Sequence, residues 1–223
     1  MNAPVSDKDV TKQDWQAWHA AYDIPGSRLE RRLRAVQERI RCVLDAAPPG
    51  PLRAIAPCAG EGRDLLEVLQ THPRRHDVAA RLVEIDPRSA ARAVQAAAGL
   101  PQVEIVVGDA AVTDAYRGVV PADLVLVCGV FGNLSPADIQ RTIACCPQLC
   151  ATGGTVVWTR HRRAPDTLPQ VCRWFEDAGF VAEWVSPPEA GFGVGAHRYA
   201  GTPRPLAPAL RMFTFPGSAW GGA

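Results

Sequence analysis

Ala54-Ile55-Ala56-Pro57-Cys58-Ala59-Gly60-Glu61-Gly62-Arg63-Asp64-Leu65-Leu66 is an apolar run that stops at a Gly-x-Gly turn and resumes as a helical pattern. It reads as a strand, a tight loop and a helix start. The glycines let backbone amides come close to a nucleotide-like ligand at a helix N-terminus. Farther on, Arg81-Leu82-Val83-Glu84-Ile85-Asp86-Pro87 is a second short apolar strand that ends in carboxylates, the chemistry that holds a ribose diol. Together the two segments point to an adenosine-containing ligand.

A dinucleotide fingerprint asks for a third glycine where this chain has Leu65, so a pyrophosphate is not the expected ligand. Val103-Glu104-Ile105-Val106-Val107-Gly108-Asp109-Ala110 reads as a third strand, and Ala122-Asp123-Leu124-Val125-Leu126-Val127-Cys128-Gly129 as a fourth. A fifth, Cys150-Ala151-Thr152-Gly153-Gly154-Thr155-Val156-Val157-Trp158, begins at a Gly-Gly pair. In this order of five signals, residues 50 to 200 resemble the class I S-adenosylmethionine (SAM)-dependent methyltransferases.

The resemblance implies an α/β fold: one Rossmann-like methyltransferase domain with a seven-stranded, mostly parallel sheet, helices on both faces and an N-terminal helical cap. It implies SAM as cofactor, S-adenosylhomocysteine as product, and binding by Cys58, Ala59, Gly60, Gly62, Arg63, Asp64, Glu84, Ile85, Asp86, Gly108, Asp109, Ala110, Cys128 and Gly129. Two departures stand out. Ala56 takes the place of the family's acid, and Cys58 that of the first glycine. The cofactor's amino group is therefore expected to meet backbone carbonyls near Cys58 and Cys128. Glu84 and Asp86 both qualify as the ribose ligand; Glu84 fits the family position better, and Asp86 before Pro87 fits a helix cap.

With 223 residues and 47% hydrophobic content, the chain can bury one α/β core. The formal charge of +1 recruits neither nucleic acid nor an anionic membrane, and no apolar run reaches the roughly 18–20 residues of a membrane span. The start, Met1 to Asp9, lacks a secretory apolar region, and a cytoplasmic protein is expected. Seven cysteines, an odd number lying mostly in apolar segments, read as buried thiols in a reducing compartment. Cys145-Cys146-x-x-x-Cys150 lacks C-x-x-C spacing and a nearby histidine, so no metal site is expected.

Helical patterns cover residues 11–22 and 28–46, and strands then alternate with helices to about residue 186. Val181 to Val185 and Gly193 to Tyr199 are expected as an antiparallel edge hairpin. The organisation is a cap over residues 1–48, a cofactor-binding core over 49–202 and a tail over 203–223 that packs on or near the core.

Substrate contacts are expected from the first segment and from two loops. Trp15, Trp18, His19 and Tyr22 recur at helical spacing, which serves packing or a pocket; Trp18 and Tyr22 are the substrate candidates and His19 a catalytic one. After the fourth strand, Phe131 would shape the pocket and Asn133 would orient a polar acceptor or cap the next helix. After the fifth, Thr159-Arg160-His161-Arg162-Arg163 is a solvated charge run or an anion site in which Arg160 or Arg162 binds the substrate. His161 is the first choice of base, and His197, beside Arg198, the second.

The reading is methyl transfer by in-line displacement to a small molecule, anionic if Arg160 or Arg162 binds it, with oxygen slightly ahead of nitrogen because a histidine base suits a hydroxyl. Two alternatives stay open: a SAM-sensing protein without catalysis, and an NAD(P)-dependent oxidoreductase, disfavoured by Leu65 and by the absence of a Tyr-x-x-x-Lys pair. The loop after the fourth strand lacks the Asp/Asn-Pro-Pro-aromatic pattern of DNA amino-methyltransferases.

Overall fold

The apolar runs become strands because β-branched and aliphatic residues sit well in a sheet covered on both faces. In the computed structural model, which describes residues 21–216, they form one sheet: β1 (Leu52–Pro57), β2 (Val78–Glu84), β3 (Val103–Val107), β4 (Ala122–Val127), β5 (Cys150–His161), β6 (Phe180–Val185) and β7 (Phe192–Tyr199). The strand order is β3-β2-β1-β4-β5-β7-β6, with β1 to β5 parallel and β7 antiparallel to both β5 and β6. The expected edge hairpin is present. The order reverses between β1 and β4, where open α/β sheets bind ligands at the carboxyl ends.

Period-two alternation sends neighbouring side chains to opposite layers. Ala54, Leu124, Leu126 and Val157 face one cluster, with helices α1 (Arg28–Ala46), α2 (Arg63–Thr71) and α3 (Pro87–Ala96). Ile55, Val125, Val156 and Trp158 face the other, with α4 (Pro136–Leu149) and α5 (Leu168–Asp177). Full burial of each such aliphatic side chain contributes about 1.5–3 kcal/mol. Among the described residues no helix is long and apolar enough to cross a membrane.

Local chemistry starts each helix. Ser27 caps α1 by accepting from the Glu30 N–H, and the Gly26 N–H, one residue before the cap, donates to the Glu30 carboxylate. Asp86 caps α3 with Pro87 at its first position, as expected, and Ser135 caps α4. α1 buries Val36, Ile40 and Leu44 in the core layer. The helical pattern over 11–22 lies outside the described residues, apart from a single 3-10 turn, Ala21–Asp23. Arg74 donates to the carbonyls of Leu44, Ala47, Pro48 and Gly50 and fastens the end of α1 to the loop before β1.

The link from β3 to β4 carries a 3-10 turn, Thr113–Tyr116, in place of a full crossover helix. The tail covers that part of the face. Met212 and Phe213 are buried in the same cluster as Ile55 and Val125. Backbone bonds fix the tail there, from Met212 N to Ala111 O at 2.8 Å and from Thr113 N to Leu210 O at 3.0 Å.

Candidate functional site

The loop after β1 is built on positive backbone φ angles: 52° at Cys58, 57° at Gly60 and 74° at Gly62. At Cys58, an L-residue in the left-handed region costs about 1–2 kcal/mol, which is the physical reason a glycine suits the position. The turn brings the Gly60 N–H to Glu84 Oε2 at 2.7 Å, while Asp86 N–H donates to Glu84 Oε1 at 2.9 Å. Glu84 thus ends β2 with both carboxylate oxygens held by backbone amides. The Asp86 side chain is occupied in capping α3 through the Arg88 N–H and the Ser89 hydroxyl, so Glu84, of the two carboxylates, stands beside the glycine loop.

A cleft lies at the point where the strand order reverses. Ala56, Leu65, Leu82 and Leu126 give it apolar walls, and Cys58, Asp64 and Cys128 line it as well. Burial raises both thiols well above their ordinary range, so neither is a thiolate nucleophile. Burial also raises Asp64, against the pull of the Arg32 charge and a hydrogen bond from Cys128. Tyr22, from the 3-10 turn before α1, reaches the same place, where its hydroxyl accepts from Arg32 Nη2 at 2.7 Å. The Arg63 guanidinium sits 5.7 Å from the Tyr22 ring centre and pairs with Asp23 at 2.6 Å and Glu61 at 3.0 Å. Arg63 is therefore a clasp between the first described turn and the glycine loop.

Beyond β2, the Asp109 carboxylate accepts from the Ala111 N–H at 2.9 Å and from Arg211 Nη2 at 2.8 Å. The tail thereby holds the Gly108-Asp109-Ala110 segment. Ala110 is itself buried and accepts from the Tyr116 hydroxyl. On the other side of the cleft, Gly129 donates to Thr159 Oγ1 at 2.8 Å, and its carbonyl accepts from Asn133 Nδ2 at 2.8 Å. Asn133 closes its own loop; the helix cap is Ser135.

Several expected substrate residues have structural positions instead. Phe131 is fully buried, in ring contact with Trp158 and Phe175, and packs the core rather than a pocket. Arg160 and His161 are not in a loop after β5 but in its last turn of pairing, opposite Gly193 and Phe192. Arg160 donates to the Phe131 carbonyl and the Thr167 hydroxyl. Arg162 donates to the carbonyls of Phe192 and Ser186 and pairs with Asp166 at 2.7 Å. Both guanidiniums fasten backbone, which removes the basis for an anion site. Arg198 pairs with Glu183.

His197 lies fully buried, accepting from Trp158 Nε1 at 3.0 Å and stacked on Phe175 at 4.7 Å. Burial pushes its pKa down to about 4. Locked inside the core, it has no access to a substrate. His161 lies beside the loop after β4: a Cβ built on Gly132 would lie 3.8 Å from its Cδ2. Partial burial and the neighbouring Arg160 and Arg163 charges lower its pKa, which keeps the ring neutral near pH 7. Its Nδ1 accepts from the Arg163 N–H at 3.3 Å, which puts the proton of the neutral ring on Nε2. Trp18 and His19 lie outside the described residues. The contributions of Arg32, Thr159 and Arg211 carry no motif; only the fold brings them to the site.

No protein-family model matches the chain, and no curated protein does. Solved structures do. An O-methyltransferase family protein from Burkholderia thailandensis superposes with a TM-score of 0.62 at 16% identity, over 85% of this chain and 61% of that one. The chain thus spans about three fifths of that protein. The 1,6-didemethyltoxoflavin-N1-methyltransferase of the same organism, solved with 1,6-didemethyltoxoflavin and S-adenosylhomocysteine, gives 0.58 at 16% identity, over 90% of this chain and 94% of that one. Magnesium protoporphyrin IX methyltransferase from Synechocystis PCC 6803, solved with SAM, gives 0.63 at 15% identity, over 89% and 100%. The fold of this chain is the Rossmann-like fold of the class I SAM-dependent methyltransferases.

Proposed function

We propose that the chain is a SAM-dependent methyltransferase that acts on a small molecule and releases S-adenosylhomocysteine. The observation that carries this reading is the Glu84 carboxylate, clasped by the amides of Gly60 and Asp86 beside a glycine turn at the reversal of strand order. A carboxylate has about four lone-pair sites, so two amide bonds leave acceptor capacity for both hydroxyls of a ribose. Ile85, exposed at the end of β2, offers an apolar surface to a planar base, and Asp109 beyond it accepts hydrogen bonds. These acceptors and the apolar surface of Ile85 fit an adenosine ligand.

Bound SAM supplies an electrophilic methyl group. The chain's part is alignment and exclusion of water, which need no covalent nucleophile. Gly129 and Asn133 hold the loop beside the cleft rigid, and His161 presents an Nε2–H to an acceptor. A histidine base is the ground for preferring oxygen; a ring that donates through Nε2 orients an oxygen or a nitrogen acceptor alike. With Arg160 and Arg162 committed to backbone, the substrate needs no anionic group. The seven free thiols support the reducing, cytoplasmic setting.

Calorimetric titration with S-adenosylhomocysteine, beside NAD and NADP, tests the reading. Micromolar binding of S-adenosylhomocysteine alone is expected; binding of a dinucleotide instead would overturn it. One observation favours binding without catalysis: His197, Arg160 and Arg162 all have structural positions. Conversion of SAM to S-adenosylhomocysteine only when an acceptor is added separates the two.

A further inference from the structure

Asp109 and Arg211 are brought together by two separate runs of backbone pairing. Gly108 donates its N–H to the Glu84 carbonyl at 3.0 Å, which places Asp109 directly after the last contact with β2, at the same carboxyl edge of the sheet as Glu84. The tail pairs with the residues that follow: Val112 and Arg211 form an antiparallel bridge, and the Met212 N–H donates to the Ala111 carbonyl at 2.8 Å. The Arg211 guanidinium meets Asp109 Oδ2 at 2.8 Å, while Oδ1 accepts from the Ala111 N–H at 2.9 Å. One donor on each oxygen orients this carboxylate, the first local and the second delivered from the tail.

The ion pair is not what holds the tail down. Met212 and Phe213 are each 1% exposed within the core cluster, and their burial outweighs it. The Arg211 and Asp109 side chains are 42% and 35% exposed, and a pair so open to water contributes little to stability. Its effect is on direction. A carboxylate bonded through one oxygen still turns about its side-chain bonds; the second bond removes that freedom and leaves acceptor capacity on both oxygens.

We propose that Arg211 is a positioning residue of the cofactor site: the tail's guanidinium fixes the Asp109 carboxylate for the ligand, so that docking of the tail and binding of the ligand are coupled. The inference rests on the methyltransferase reading, in which Asp109 accepts from the ligand beyond Ile85, and adds to that site a side chain 102 residues away in the chain. Such coupling is reciprocal: the factor by which the docked tail raises ligand affinity is the factor by which the bound ligand favours the docked tail. The tail is then part of the ligand-binding device as well as a cover for the core.

Calorimetry with S-adenosylhomocysteine, thermal melting and hydrogen exchange read by mass spectrometry test the coupling on the full chain. Arg211→Gln is expected to weaken S-adenosylhomocysteine by about tenfold, the scale of one charged hydrogen bond. Its ligand-free melting midpoint should stay within about 3 °C of the unmodified protein, as befits an exposed pair. In the unmodified protein, saturating ligand is expected to slow exchange in peptides containing the Met212 and Thr113 amides by about tenfold, and in Arg211→Gln by much less. A lowered midpoint with unchanged affinity would make Arg211 a structural tie and overturn the proposal. Tail exchange that ignores the ligand in the unmodified protein would overturn it too, whatever the variant does. Either result leaves the methyltransferase reading standing, because S-adenosylhomocysteine still binds; failure of the unmodified protein to bind it would overturn both.

Discussion

Gly60 donates its backbone N–H to the Glu84 side chain across 2.7 Å, which makes the glycine turn after β1 and the carboxyl end of β2 one unit. Glu84 is at once the ribose candidate and the residue that shapes the turn.

Replacing that carboxylate removes both roles. Glu84→Ala is expected to weaken S-adenosylhomocysteine binding by about 1–3 kcal/mol. Asp86→Ala removes only a helix cap and is expected to lower stability by about 0.5–2 kcal/mol with affinity kept. Calorimetry paired with urea unfolding distinguishes them, and an affinity loss confined to Asp86→Ala would move the ribose site by two residues.

Gly62 combines a φ of 74° with crowding: an added Cβ would come within 2.6 Å of Leu66 Cδ1 and 2.8 Å of Leu82 Cδ2. Gly62→Ala is therefore expected to destabilise the fold by about 1–3 kcal/mol, since the new atom enters packed core below the loop. An unchanged urea midpoint would contradict this packing.

His197 gives a pH dependence of known sign. Its folded pKa is about 4 against an ordinary 6.5, so the unfolded chain binds the proton first on acidification. The contribution is complete above pH 6.5 and is lost as the pH falls through the folded value; the shift corresponds to roughly 3 kcal/mol. Urea unfolding at pH 7 and pH 4.5 should show a smaller loss of stability in His197→Leu than in the unmodified protein. Equal losses would remove His197 as the cause.

Arg162 is expected to matter for stability and not for ligands. Arg162→Ala removes donors from the carbonyls of Ser186 and Phe192 and should lower stability by about 1–3 kcal/mol. A thermal melt with unchanged midpoint and a raised acceptor KM would restore the substrate role that the sequence suggests.

Met212→Ala measures the tail. The side chain is 1% exposed within the same cluster as Ile55 and Val125, so its truncation should cost about 2–5 kcal/mol. A change within experimental error would mean that the tail is not part of the core.

The strand-and-helix order was legible because alternation and glycine punctuation are local signals, and Asp86-Pro87 announced a cap. The site was legible where it follows the chain, at Gly60 and Glu84. It was hidden where contacts are distant. A run such as Arg160 to Arg163 reads as a charge cluster, but whether a guanidinium meets solvent or a buried carbonyl depends on strands 30 residues away, as for Arg162 and Phe192. His197 is similar: nothing in its neighbours shows that Trp158 and Phe175 enclose it. Ala56 marks a missing acid in the sequence, while the placing of Asp64 in the same cleft is visible only once α2 is folded beside β4.

The tail has a consequence for synthesis. Arg211 meets Asp109 across 102 residues, and Met212 covers a face of the sheet completed much earlier in the chain. A ribosome that has delivered β1 to β4 has exposed a nascent sheet whose apolar side waits for Met212 and Phe213. During that interval the chain presents the kind of surface that chaperones grasp and that drives aggregation. Closure of this layer therefore waits until Arg211 to Phe213 have left the ribosome.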